Sequence, residues 1–119
     1  MNKLRQKIET RKIINLILPL TRKSNCLKFY SNETYNHKRK KFELFVRLQK
    51  EGYNPIFSEC IFFNGKRADL LAIKEGRGKG FEILESETDK QLAKKLLGYP
   101  KLVEWYRVKT LVDVQKIEL

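Results

Sequence analysis

The sequence predicts an α+β fold: a mixed sheet of four to five strands flanked by helices, with a basic N-terminal helical extension. Two observations carry this expectation. Residues 55–85 hold three runs rich in strand formers, PIFSECIFF, KRADLLAIK and FEILE, separated by the turn signals Asn64-Gly65 and EGRGKG. Helical patterns flank this meander at residues 37–51 and 86–97, and residues 102–108 (LVEWYRV) read as a further strand.

At 119 residues the chain suits one domain. We divide it into a basic N-terminal helix and linker (residues 1–35) and a core (residues 36–119). The apolar run at residues 13–20 is broken by Asn15 and Pro19 and is far shorter than the roughly 20 residues of a membrane helix. No apolar run ends in a small-residue cleavage site, so no signal peptide is expected. Cys26, Cys60 and His37 are too few for a structural zinc site. Cys60 reads as a small core residue, and an intracellular, cytoplasmic setting is expected.

The formal net charge is +12. Residues 1–47 carry 13 Lys/Arg against the acids Glu9, Glu33 and Glu43, whereas residues 48–119 carry 13 against 11. An excess confined to the front of the chain points to a nucleic-acid backbone as partner, ahead of an anionic membrane surface.

In chain order, Leu4, Ile8, Ile13, Ile14, Ile17 and Leu18 recur at helical spacing over residues 3–18, and Pro19 ends that helix. Residues 21–35 are mixed polar and aromatic, either a linker or a short strand around residues 26–30. The N-terminal part is then either an arm for a substrate or partner, or a helix covering an open core. Asn36 is the expected cap of the next helix, residues 37–51, whose buried stripe is Leu44, Phe45 and Leu48 with Phe42 and Val46 alongside. Lys38, Arg39, Lys40 and Lys41 crowd its first turns, where the helix dipole disfavours cations and a phosphate would offset the cost. Gly52 is the stop.

A two-residue Asn64-Gly65 turn pairs Phe63 with Lys66 and Cys60 with Asp69, which puts Glu59 on the other sheet face unless a bulge intervenes. A turn centred on Glu75-Gly76 pairs Lys74 with Arg77 and sets Asp69 directly opposite Glu82; a longer loop through Gly80 would slide them apart. Two carboxylates facing each other on neighbouring strands call for a cation. Ser86-Glu87-Thr88-Asp89 reads as the start of a helix whose buried side is Leu92, Ala93, Leu96 and Leu97, closed by Gly98. The C-terminal TLVDVQKIEL is a strand or a short helix, with strand preferred.

The order helix, three-strand meander, helix, strand, with RADLLAI (67–73) and FEILESE (81–87) as acidic half-motifs, resembles the PD-(D/E)xK nuclease superfamily over residues 37–108. That group includes restriction-endonuclease-like enzymes and archaeal Holliday-junction resolvases. The resemblance implies a Mg²⁺-dependent (or Mn²⁺-dependent) DNA endonuclease. Asp69, Glu82 and the Ile83 carbonyl would be metal ligands, and Glu43 a third acid. It also implies a homodimer, since two cuts call for two sites. The motif lysine is replaced by Leu84; Lys94 is the preferred substitute, with Lys95 and Gln91 nearby. Glu85 is an undecided second-metal ligand, and Glu87 reads as a solvated helix start. Lys38, Arg39, Lys40 and Lys41 are the expected DNA contacts. Two rival readings stand beside this one: a nuclease-fold DNA-binding protein that no longer cuts, and a small basic RNA-binding protein in which Asp69 and Glu82 are ion-pair partners.

Overall fold

Both hairpins form, and they differ in turn chemistry. The computed structural model describes residues 1–84 and 88–119, without the side chains of Asp89, Leu92 and Leu96. The expectations for Glu85, Ser86 and Glu87, and for burial of Leu92 and Leu96, lie outside the described residues. Strand β1 (Ile56–Ile61) reaches β2 (Arg67–Lys74) through a turn in which the Gly65 N–H donates to Phe62 O at 2.9 Å. Gly65 sits at φ +85°, and Phe62 N–H donates to Lys66 O. This is a three-residue connection ending in a left-handed glycine, not the expected two-residue turn. The extra residue moves the register by one, so Cys60 faces Ala68 instead of Asp69. The second turn is the two-residue one: Glu75 and Gly76 both have positive φ, and Lys74 pairs with Arg77 of β3 (Arg77–Ile83).

The sheet has the order β1-β2-β3-β4. Its first three strands are antiparallel, and β4 (Val103–Val108) lies parallel to β3 after a crossover through α3 (Asp89–Leu96); helices are numbered along the chain. Trp105 sits over Gly80, where an added Cβ would lie 2.4 Å from the indole ring. A strand glycine is therefore required there.

Helices cover both faces. On one, Leu44, Phe45 and Leu48 of α2 (Tyr35–Lys50) and Val114 of α4 (Leu111–Lys116) cluster with Ile56, Leu70, Phe81 and Ile83. On the other, Ile13 of α1 (Lys3–Ile14) and Ile17 beyond it cluster with Phe57, Leu71, Ile73 and Val103. Of the two roles open to the N-terminal segment, α1 takes that of the covering helix. Cys60 lies in this second cluster, and burial pushes its thiol up to about 12. Among the described residues no helix is long and apolar enough to cross a membrane.

Several boundaries differ from the sequence expectation, each for a tertiary or capping reason. Helix α1 ends at Ile14, short of Pro19, because Leu18 N–H donates to Ile61 O at 2.7 Å and Ile17 bridges Phe62 at the sheet edge. Residues 26–30 are not a strand; the edge contact is the Ser24–Phe57 bridge. Thr34, not Asn36, caps α2, its hydroxyl accepting from His37 N–H at 3.1 Å. Phe42 and Leu97, expected on buried faces, are 49% and 70% exposed, and Ala93 is exposed as well. The C-terminal stretch is helical: Thr110 and Asp113 form a reciprocal capping box that outweighs its strand-like composition.

Candidate metal centre

The strand ends carry the acids. Carrying the β2–β3 register one residue beyond Leu70↔Phe81 sets Asp69 opposite Glu82. The main-chain ladder stops there, and Asp69 Oδ2 instead accepts the Ile83 N–H at 2.7 Å. Glu82 is 2% exposed. Its Oε2 lies 3.2 Å from Lys95 Nζ, while Oε1 is buried with no hydrogen bond. The nearby Tyr99 hydroxyl has one proton and spends it on Arg67 O at 3.0 Å. Burial, with the Asp69 charge added, pushes Glu82 up to about 8, and Lys95 opposes the shift. Burial and the same carboxylates push the Tyr99 hydroxyl up as well.

Beside this pair stands a second cluster. In β1, Glu59 takes φ +56°, a left-handed conformation uncommon for a residue with a side chain. Phe57 and Cys60, an odd number of residues apart, consequently belong to the same apolar cluster, so the strand changes face at Glu59. The exclusion of Glu59 on register grounds is thereby corrected: its carboxylate joins the acids. Lys41, with a fully buried side chain, donates to Glu59 Oε1 (2.9 Å), Glu33 Oε1 (2.7 Å) and Lys28 O (2.9 Å). All three ammonium protons are used. Burial works against Glu33, yet the Lys41 and Tyr30 N–H bonds outweigh it and hold its carboxyl below the usual range. For Glu59, burial wins over Lys41 and the carboxyl is raised. His37, one helical turn after Glu33, completes the group. Its Nε2 is 3.6 Å from Glu33 Oε2 and 4.0 Å from Asp69 Oδ1.

Glu33, His37 and Glu59 each offer a ligand atom within 4.8 Å of the others, so this group could hold a metal ion. Both clusters line one cleft of about 710 Å³, together with Lys66 and Arg67. No family model, curated protein or solved structure matches the chain.

The other sequence candidates sit elsewhere. Glu43 is on the exposed side of α2 and does not line the cleft; His37 is the residue of this helix that does, while Lys41 lies buried behind Glu33 and Glu59. Lys94 is exposed and does not line the cleft, whereas Lys95 contacts Glu82. Leu84, in the place of the motif lysine, is 1% exposed. Lys40 and Lys41 offer no charge to a DNA backbone. Lys40 is buried, donating to Leu84 O at 2.7 Å and Lys109 O at 3.1 Å, and Lys41 is committed as described. The cationic crowding at the start of α2 is thus relieved in part by turning two lysines inward. Arg39 is exposed and Lys38 half-buried. The spacing Glu33-x₃-His37-x₃-Lys41, which places three polar groups one turn apart, was the available signal for the second cluster.

Proposed function

We propose that the chain is a metal-dependent DNA endonuclease with a restriction-endonuclease-like core. The observation that carries this reading is Asp69 opposite Glu82 at the point where β2 and β3 part, with Lys95 on Glu82. The donors suit a hard divalent cation, Mg²⁺ or Mn²⁺. They are oxygens, and the buried Glu82 Oε1 has no hydrogen bond, so a cation would give it a partner. The Ile83 carbonyl is the expected third ligand. A cation bound there would acidify a water and polarise the scissile phosphate.

The chain's own groups have separate tasks. Asp69 is held by the Ile83 N–H, which orients its carboxylate towards the cleft. Lys95, 44% exposed in its side chain, takes the place of the motif lysine and stabilises charge growing on the phosphate. Lys66 and Arg67 line the same cleft as the acids, and with Lys38 and Arg39 they offer the backbone contacts that hold DNA. Such contacts read shape, so a branched substrate such as a four-way junction and a homodimeric enzyme suit the reading. Burial of Leu84 favours the rival, a DNA-binding protein that no longer cuts.

The test is cleavage of plasmid, linear duplex and four-way-junction DNA with Mg²⁺, Mn²⁺ or EDTA. Metal-dependent cutting is expected, abolished by Asp69→Ala and strongly reduced by Lys95→Ala. DNA binding without cleavage under every metal would leave the rival reading standing.

A further inference from the structure

We propose that Glu33, His37 and Glu59 form a second cation site, selective for a divalent transition ion such as Zn²⁺, Co²⁺ or Mn²⁺ over Mg²⁺. It adjoins the Asp69–Glu82 pair and does not depend on whether that pair supports cleavage. Three observations support it. The first is an orphaned atom. The Glu33 side chain is 9% exposed, and its Oε1 is satisfied by Lys41 at 2.7 Å and by the Tyr30 N–H at 2.8 Å. Its Oε2 is buried with no hydrogen bond. A buried carboxylate oxygen left bare is costly unless something else occupies its lone pairs.

The second is spacing. His37 Nε2 stands 3.6 Å from that orphan and 4.0 Å from Asp69 Oδ1. Both distances are too long for a hydrogen bond. Ligands that each sit about 2.0–2.2 Å from one ion stand roughly 3–4 Å apart, so the gap fits a cation better than a proton. The third is support from behind. Lys41 pins Glu33 and Glu59 by one oxygen each and leaves Glu33 Oε2 facing the imidazole. Thr34 accepts the His37 main-chain N–H, which fixes the turn that carries the ring. Glu59 is presented by a left-handed residue inside a strand, local strain of the kind found at functional positions. An imidazole nitrogen with two carboxylates favours borderline transition ions, whereas Mg²⁺ prefers oxygen and water.

His37 is the only histidine in the chain, so any imidazole signature reports this residue alone. The experiment titrates Co²⁺, read by its visible absorption and by competition with Zn²⁺, into the full chain and into His37→Gln and Glu82→Gln variants. Folding of each variant is checked by circular dichroism; glutamine is a good helix former. Binding of Co²⁺ is expected in the wild type, resistant to excess Mg²⁺. It should weaken at least about 100-fold in His37→Gln, since even outer-shell losses cost 10–100-fold, and persist in Glu82→Gln. In a parallel NMR titration, Mn²⁺ should broaden the His37 imidazole signals of both the wild type and Glu82→Gln. The proposal is overturned if the wild type binds no Co²⁺ or if His37→Gln binds it as well as the wild type does. It is equally overturned if Glu82→Gln loses binding as fully as His37→Gln, which would mean one composite site.

Discussion

The cleft holds two lysine–carboxylate groups built on opposite principles. Around Lys41 the cation is buried, donates three hydrogen bonds and keeps Glu33 ionised against its burial. Around Lys95 the cation is nearly half exposed, and Glu82 stays so poorly compensated that its carboxyl rises to about 8. In the first group the lysine is a buried brace behind the carboxylates. The second is under-neutralised, and a charge deficit at a cleft is what a bound cation and a phosphate substrate can repair.

Exchange of each lysine for methionine sets the two against each other. Lys41→Met leaves two carboxylates buried without their counter-charge, and should cost about 3–5 kcal/mol in urea denaturation. Lys95→Met should change stability by less than about 1 kcal/mol, because a partly exposed pair contributes little. Its cleavage rate should nevertheless fall about 10²–10³-fold. Equal stability losses would erase the distinction between a lysine that braces the fold and one that serves the cleft.

The metal-free protein should also show the difference in its pH dependence. The folded Glu82 carboxyl titrates near 8 and the unfolded one near 4.5, so between these values the unfolded chain binds fewer protons. Stability contributed by neutral Glu82 is therefore present at low pH and lost as the pH rises towards 8. Glu33, with a lowered carboxyl, has the opposite sign: its contribution is present above its ordinary 4.5 and lost as the pH falls below it. Thermal melts of wild type and Glu82→Gln over this range should show the decline flattened in the variant. A residual slope would remain from Glu59, which burial also raises. A decline unchanged in the variant would mean that Glu82 is ionised in the folded protein. Smallest of all, Thr34→Ala should cost about 1 kcal/mol as a lost cap. It should weaken Co²⁺ binding through His37 and leave Mg²⁺-dependent cleavage largely intact.

Much of this was legible where the governing interactions are local. Asp69 and Glu82 could be set opposite each other because a two-residue Glu75-Gly76 turn dictates its own register. The Asn64-Gly65 turn was found, but its three-residue form was not, and one residue of slip moves every side chain of a strand to the other face. That slip and the left-handed Glu59 hid a member of the second cluster. Lys95 could not be told from Lys94, since that choice depends on how α3 docks against β3.

Turn chemistry, capping and periodicity act over a few residues, so the central helices and strands, the second hairpin register and the facing pair of acids could be read from the chain, whereas the end of α1 and the helical C-terminus could not. Which charges meet depends on packing between distant segments. Lys41 turns inward towards Glu33 and Glu59, and His37 comes to stand between Glu33 and Asp69, residues distant in the chain. Burial then sets the strength of those contacts, for it withdraws the water that would otherwise screen them.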